Sequence, residues 1–331
     1  MNAPLVSVII PTCGRPESLL RAVASALEGM EPGEVEVIVV PNGPDRSWQE
    51  SMAEYRDNPA VRVLPIAARH ANVARNHGLR NAHGKYVRFL DDDDVLYPEG
   101  ACRQYAELER GGGDVCSGAF DVVDRNMAVL ATMRQADSKD LVSALLWRYG
   151  MWQPTAHVFR SEVIGQMGWD EQLPYGQDFD WLLRVALGGE LRWIRCDWTV
   201  GAWHRHLGER ISLVSGPDDK RRMVAERVID AVASLEAGGR LTPERREAAA
   251  TCLWNGVHAA LCFSPRYWTA VARRARALAP GSHPQIRLYE LSWFHHLRLD
   301  PLWWEWLMLP RRRLTWWLHR MRLALGLARH D

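Results

Sequence analysis

The sequence lacks the features that mark several classes of protein. Its six cysteines include no C-x-x-C pair, which argues against a zinc site or disulfide framework and predicts reduced thiols. The formal net charge is only +1, so nothing in the composition indicates a nucleic-acid partner. No apolar run approaches the roughly 20 residues that cross a bilayer, and no secretory signal is visible. We therefore expect a cytoplasmic protein.

The chain does contain enough apolar residues for one large core, since 47% of its 331 residues are hydrophobic. Short β-branched runs alternate with helical patterns in the first hundred residues. These runs are Val6–Ile10, Val35–Val40, Val61–Leu64 and Tyr86–Leu90. The alternation is typical of βαβ units and predicts an α/β fold, with a Rossmann-like, mostly parallel sheet and flanking helices. Polar residues follow the runs, where such sheets bind ligands.

The pattern changes along the chain and predicts two regions. Val115–Val122 and Leu191–Trp198 are predicted strands, and a helix is predicted over Asp178–Leu187, so we assign residues 1–216 to one α/β domain. Beyond it, helical periodicity dominates. The predicted helices are Asp219–Glu236, Pro243–Cys262 and Trp268–Leu278. Residues 217–331 are therefore expected to form a helical appendage.

The segment Asp91–Asp94 places four adjacent carboxylates at a predicted strand end. Each pair repels by about 1 kcal/mol even in a water-like dielectric, so a cation is expected to relieve the repulsion. A divalent metal, Mn²⁺ or Mg²⁺, takes one or two carboxylates and completes its shell with phosphate oxygens and water. The alternative is a solvated acidic turn in which Asp94 caps a helix that begins near Pro98.

Two further segments carry charged candidates. Arg75 lies in the predicted helix Asn72–Leu79, where it could offset the acidic run or hold a diphosphate. A surface arginine on an amphipathic helix is the alternative. Asp178 begins a predicted helix, so it is either a capping carboxylate or a general base that takes the proton from an acceptor hydroxyl. Inverting transfer requires such a base.

Taken in order, these segments resemble the family 2 glycosyltransferases of the GT-A fold. The segments similar to that family's motifs are Ser7–Arg15 (SVIIPTCGR), Ala74–Asn76, Asp91–Asp94, Gly168–Glu171, Gln177–Asp178 and His204–His206 followed by Ser212. The resemblance extends from residue 5 to about residue 214 and leaves the appendage uncovered. It implies an inverting, metal-dependent enzyme that moves a sugar from a nucleotide-sugar donor to a saccharide or lipid-linked acceptor.

The resemblance also implies roles for individual residues. The implied nucleotide-binding residues are Thr12, Arg15, Asn42, Arg75, Asp91 and Asp92. The implied metal ligands are Asp93 and Asp91, and His206 would reach the diphosphate or the metal. Asp178 would be the general base. Of the nearby tryptophans, we assign only Trp152 to an acceptor pocket, because flat aromatic faces suit sugar rings; core packing is the alternative.

Two positions depart from the family pattern. Asn42 replaces a common aspartate, so an amide stands where an acceptor-only group would contact the base or ribose, and UDP is the expected but not the required nucleotide. Gln177 replaces the glutamate of the E-D pair, which removes one like charge beside Asp178 and the resulting upward pressure on its pKa.

Other functions are compatible with parts of the pattern. Phosphoryl transfer from an aspartate would also use an acidic cluster and a metal, but its usual D-x-D-x-T motif is missing. Asn42 and Gln177 favour a catalytically weak nucleotide-binding or scaffold protein, whereas Asp91, Asp93 and Asp178 favour an enzyme. Dinucleotide-dependent oxidoreduction lacks its G-x-G-x-x-G motif.

The last forty residues are rich in tryptophan and arginine. The tryptophans are Trp293, Trp303, Trp304, Trp306, Trp316 and Trp317, and the arginines are Arg298, Arg311, Arg312, Arg313, Arg320 and Arg322. Tryptophan favours the headgroup boundary and arginine favours anionic leaflets, so this region predicts peripheral association with a membrane surface. The alternatives are a helical subdomain whose tryptophans pack on the catalytic domain while its arginines face water, and a homo-oligomer contact.

Overall fold

The structure is a computed structural model that describes residues 3–147, 152–165, 167–205, 218–286, 289 and 300–324. The chain forms two compact units. The first unit comprises Met1–Leu141 and Gly150–His206, and the second comprises Val142–Tyr149 and Leu207–Asp331. The expected boundary after residue 216 lies outside the described residues, as do His206 and Ser212.

A nine-stranded sheet forms the centre of the first unit. Its strands are β1 (Val6–Thr12), β2 (Val35–Pro41), β3 (Val61–Val63), β4 (Tyr86–Phe89), β5 (Val95–Leu96), β6 (Val115–Val123), β7 (Val129–Met133), β8 (His157–Arg160) and β9 (Trp193–His204). Their order is β3-β2-β1-β4-β8-β6-β9-β5, and β7 pairs with β6. The predicted α/β fold is confirmed: β1 to β4 are parallel neighbours, and β8 then makes the sheet mixed by pairing antiparallel with β4 and β6.

Helices flank this sheet and form the described part of the second unit. They are α1 (Pro16–Leu27), α2 (Trp48–Ser51), α3 (Ala71–Arg80), α4 (Pro98–Gly111), α5 (Leu141–Trp147), α6 (Ser161–Ile164), α7 (Gln177–Leu187), α8 (Asp219–Ala237), α9 (Pro243–Ala260), α10 (Pro265–Leu278), α11 (Pro301–Leu307) and α12 (Leu309–Ala324). Five of them, α1, α4, α9, α10 and α11, begin with proline, whose missing N–H costs nothing at a helix start. Among the described residues, no helix is both long and apolar enough to cross a membrane.

The central strands are apolar on both faces because helices cover both. Every residue of β1 and of β2 is buried, which explains why both strands are composed mainly of apolar residues. On one face α3 approaches β1 so closely that a Cβ on Gly78 would lie 2.4 Å from Ile9 Cγ2. Glycine at this position therefore lets α3 lie directly against β1, which sets the position of the polar residues that α3 carries.

Helices are the regular secondary structure of the described residues of the second unit. Its core includes the fully buried rings of Trp254, Trp268 and Tyr289. Side-chain caps start two of its helices: Thr242 accepts a hydrogen bond from the N–H of Arg245, and Asp300 accepts one from Leu302. The sequence-predicted helices of this region match α8, α9 and α10 to within a few residues.

Candidate active site

The candidate site lies where β1 and β4 end. These strands are parallel neighbours, so their carboxyl ends meet at one edge of the sheet. Thr12 closes β1, and Asp91–Asp94 follow β4. The hydroxyl of Thr12 donates a 2.7 Å hydrogen bond to Asp92 Oδ2 across this edge, between residues 80 positions apart. The strand ends predicted from sequence to meet therefore do so.

The four aspartates divide into two sets. Carboxylate oxygens of Asp91, Asp93 and Asp94 all lie within 4.8 Å of one another, a spacing that could hold a metal ion. Asp92 instead contacts the end of β1, where Thr12 is its partner. The turn after β4 thus separates a potential metal-binding set from a carboxylate that ties two strands together.

Asp94 is almost fully buried and holds other segments in place. Its carboxylate accepts hydrogen bonds from the Gln153 amide at 2.7 Å, the Thr155 hydroxyl at 2.9 Å and the backbone N–H of His204 at 3.1 Å. Burial raises the pKa of Asp94 well above its usual range, and the nearby aspartates raise it further. The capping alternative is wrong, because Tyr97 is the N-cap residue of α4.

Arg15 supplies a cation beside the acidic turn. Its Nη1 lies 3.0 Å from Asp92 Oδ1 and 2.5 Å from Asp93 Oδ2. Burial raises the pKa of Asp92 to about 6 even though Arg15 lowers it. Arg15 is thus placed to neutralise both sets of carboxylates, and its side chain is still 42% exposed, which leaves it room to contact a ligand.

Arg75 is the buried cation of the site, so the surface-arginine alternative is wrong. Its Nη2 lies 2.6 Å from Asp91 Oδ1, and its guanidinium lies 4.4 Å from the centre of the Trp169 ring. Burial lowers the pKa of Arg75, but the carboxylates of Asp91 and Asp178 outweigh this effect and raise it. Asp178 therefore lies within the electrostatic reach of the same guanidinium.

Two asparagines of α3 bind the segment that leads into α7. Asn76 Nδ2 donates to the carbonyl of Trp169 at 2.9 Å and to Glu171 Oε1 at 2.8 Å, while Asn76 Oδ1 accepts from the Trp169 N–H at 2.6 Å. Asn72 Nδ2 donates to the carbonyl of Asp170 at 2.7 Å. These bonds tie the segment before α7 to α3.

The start of α7 carries Asp178, in its first turn. Phe179, the next residue, packs against Trp152 with ring centroids 4.4 Å apart. Trp152 is itself buried, and its neighbour Gln153 is held by Asp94. The segment assigned to the acceptor pocket is therefore connected both to the acidic turn and to α7.

Asn42 lies just beyond β2 and pairs with the end of β1. Its Nδ2 and its backbone N–H both donate to the carbonyl of Thr12 at 2.9 Å. Of the residues to which the resemblance assigns a role, only His206 falls outside the described part of the chain. The others lie at one edge of the sheet, on α3, at the start of α7 or, for Trp152, against Phe179 of α7.

Sequence reasoning missed the contacts by which several residues organise this site. Asn72, Asn76 and Asp94 belong to quoted motifs, yet the backbone groups that they bind lie about a hundred residues away in the chain. The available signal was chemical: polar residues inside an otherwise apolar pattern are buried only when hydrogen-bonded. That rule predicts a partner without identifying it.

Comparison with known proteins gives a consistent result. Residues 7–164 match the family model of Glycosyl transferase family 2. An uncharacterized glycosyltransferase of Methanocaldococcus jannaschii is 22% identical over 59% of this chain and 66% of its own length. The succinoglycan biosynthesis protein ExoO of Rhizobium meliloti is 27% identical over 57% of this chain and 58% of its own length. The matched region thus spans less than two thirds of these relatives.

A solved structure shares the fold. The crystal structure of S. aureus TarS 1-349 in complex with UDP-GlcNAc superposes with a TM-score of 0.58, covering 82% of this chain and 87% of that one at 18% sequence identity. At this identity the likeness concerns the fold, and it agrees with the GT-A architecture that the motifs predicted.

Proposed function

Because residues 7–164 belong to Glycosyl transferase family 2, we propose that this chain transfers a sugar from a nucleoside-diphosphate donor to a hydroxyl group, with inversion at the anomeric carbon. The observation that carries the proposal is the convergence of Asp91, Asp93 and Asp94 within 4.8 Å, beside two arginines at one sheet edge. Bringing like charges together costs free energy, and a scaffold protein would have no need of such a cluster.

The acidic turn suits a divalent cation. Hard cations such as Mn²⁺ and Mg²⁺ prefer carboxylate oxygens, and the three clustered carboxylates supply them at ligand spacing. Asp93 and Asp91 would hold the ion, since the oxygens of Asp94 already accept hydrogen bonds from three donors. When bound, the metal would neutralise charge on the diphosphate leaving group.

The nucleotide would lie along the end of β1 and the acidic turn. Arg15 is exposed enough to contact the diphosphate, and Arg75 and Asp92 flank the same edge. The Nδ2 of Asn42 is already bonded to Thr12, so its Oδ1 is the atom left to face a ligand. An acceptor oxygen at this position does what the family's aspartate would do, which supports a uridine nucleotide, as in UDP.

Asp178 would act as the general base. It would take the proton of the acceptor hydroxyl as that oxygen bonds to the anomeric carbon, while the bond from that carbon to the diphosphate oxygen breaks on the opposite face. Arg75, whose pKa is raised in part by Asp178, would supply a positive charge near the proposed base. Trp152, which packs against Phe179, would form part of the acceptor pocket.

The acceptor class is inferred from chemistry and relatives together. The relatives include a succinoglycan biosynthesis protein and, at 28% identity over 39% of its length, the poly(ribitol-phosphate) beta-N-acetylglucosaminyltransferase TarP of Staphylococcus aureus. We therefore propose a polysaccharide or a lipid-linked saccharide as acceptor. Residence in the cytoplasm, association with a membrane surface and homo-oligomer formation stay predictions from sequence.

The test is nucleotide binding with and without metal. Titration calorimetry of UDP in the presence of Mn²⁺ should give clear binding for the wild type and for Asp57→Ala, which removes an exposed carboxylate away from the site. Asp93→Ala should keep its thermal unfolding temperature and lose the metal-stimulated binding. Tight binding of UDP and Mn²⁺ by Asp93→Ala would refute the metal assignment.

A further inference from the structure

A cavity of about 530 Å³ opens in the second unit, among the described helices. Its walls come from α8, α10, α11 and α12 and from the turn before α10. The lining residues are Arg222, Ser264, Pro265, Arg266, Tyr267, Trp306, Leu309 and Arg313. Pro265 begins α10, so the cavity also faces the positive end of a 14-residue helix. Three arginines and two aromatic rings therefore surround one concave space.

The three arginines are not equivalent. Arg222 is neutralised, because its Nε lies 2.6 Å from Asp218 Oδ2 and its guanidinium lies over the ring of Tyr267 at 4.4 Å. Arg266 and Arg313 have no carboxylate partner among the described residues. The cavity thus carries two guanidinium groups that form no ion pair with a described carboxylate.

An exposed apolar surface adjoins the cavity. We name it the aromatic face; it comprises Trp303, Trp306, Leu307, Leu314, Trp317, Leu318 and Met321. Its three tryptophans are 56%, 43% and 53% exposed, which leaves their rings open to a binding partner. Trp306 belongs both to this face and to the cavity wall, which makes the two features continuous.

We propose that the aromatic face docks on an anionic phospholipid surface and that the cavity binds the phosphate of one lipid. Exposed tryptophans favour the headgroup boundary, and arginine forks match phosphate oxygens. The apolar part of the cavity, formed by Trp306 and Leu309, would contact the lipid beside its phosphate. This proposal concerns the second unit alone and does not depend on the activity proposed for the first.

A charge-matched pair of double variants tests the site. Arg266→Gln with Arg313→Gln removes the two unpaired cavity arginines. Arg273→Gln with Arg311→Gln removes one exposed arginine from each of the same helices, α10 and α12, outside the cavity lining. Vesicle flotation is measured for the full chain with phosphatidylcholine alone and with mixed phosphatidylcholine and phosphatidylglycerol.

The wild type should float with the mixed vesicles and not with phosphatidylcholine alone. An arginine that acts only through the electrostatic field of the surface contributes about fivefold to vesicle binding. If the cavity arginines act in this way, both double variants should lose the same amount of vesicle affinity. A phosphate site instead predicts that the cavity variant loses at least about tenfold more than its control. The thermal unfolding temperature and the affinity for UDP should be the same in both double variants as in the wild type.

Three outcomes would overturn the proposal. The wild type could fail to float with mixed vesicles, which removes the membrane surface as partner. Both double variants could lose vesicle binding equally, which would show that the cavity arginines contribute only general surface charge. Inorganic phosphate could bind the wild type and not the cavity variant in calorimetry while leaving flotation unchanged at constant ionic strength, which would assign the cavity to a free anion and not to a lipid.

Discussion

The Nη2 atom of Arg75 lies 2.6 Å from Oδ1 of Asp91, and this ion pair joins the helix α3 to the acidic turn after β4. Arg75 is 5% exposed, so its charge is screened little by water. The same guanidinium also feels Asp178, which lies about a hundred residues further along the chain. One buried cation therefore links the proposed metal-binding turn to the proposed general base.

Asp178→Asn should separate chemistry from binding. As general base, Asp178 matters when the acceptor hydroxyl loses its proton, so the variant should bind UDP normally and transfer sugar at least ~100-fold more slowly. Asp57→Asn, an exposed change elsewhere in the first unit, should leave both unaffected. Loss of folding in Asp178→Asn would favour the helix-start interpretation, and a retained anomeric configuration in the product would remove Asp178 from this role.

Arg15→Gln should change metal and nucleotide affinity in opposite directions. Arg15 contacts Asp93 at 2.5 Å, so it competes with a metal for the same carboxylate. Removing one positive charge near a partly exposed ion should strengthen binding of Mn²⁺ alone by about fivefold, the equivalent of about 1 kcal/mol. UDP binding with metal should weaken, because the diphosphate loses a donor. A parallel decrease in both affinities would contradict this role.

Asn76→Asp should loosen the segment before α7. The change is nearly isosteric, yet it replaces the amide that donates to Trp169 and Glu171 with a carboxylate that repels both acceptors. We expect about 2–4 kcal/mol of local destabilisation. Hydrogen exchange across residues 167–176 should speed up and transfer should slow.

Asn58→Asp is the matched control for that prediction. Asn58 uses its Oδ1 to accept the N–H of Ala60 at 2.9 Å, and a carboxylate can accept the same bond. Exchange in the segment before α7 should be unchanged in this variant. Equal exchange rates in Asn76→Asp and the wild type would show that the segment is held by other contacts.

Glu305→Gln should change the acid stability of the second unit. Burial raises the pKa of Glu305, but hydrogen bonds from His258, Arg312 and Tyr289 outweigh this effect and lower it below 4.5. The unfolded chain then binds the proton more readily than the folded one. The stability that Glu305 contributes is therefore present above about pH 4.5 and is lost as the pH falls through the folded-state pKa.

The measurement is hydrogen exchange of α9 and α11 as a function of pH. Above pH 5 the wild type should be protected more than Glu305→Gln by roughly 3 kcal/mol, because the variant leaves Arg312 without its buried partner charge. The difference in protection between the wild type and Glu305→Gln should decrease as the pH falls. Glu247→Gln, an exposed change on α9, should follow the wild type. A difference that is constant with pH would exclude charge as its origin.

The sequence by itself determined the strands and helices and the edge of the sheet at which the candidate site lies. Strands β1 to β4 were predicted within two residues at each end, because short runs rich in β-branched and aromatic residues between helical patterns are typical of strands. The gathering of Thr12 and Asp91–Asp94 followed from the same rule, since parallel strands end at one edge. Both predictions combine local sequence patterns with the rule that successive βαβ units form a parallel sheet.

Only the tertiary structure decided how neighbouring residues divide their tasks. Asp92 and Asp94 are chemically identical, yet one is tied to Thr12 and the other to Thr155, and no pattern within the run distinguishes them. Composition likewise could not tell whether the tryptophans of α11 and α12 face solvent. Both outcomes depend on which surfaces meet after distant segments have packed, and packing energy is a property of the assembled core.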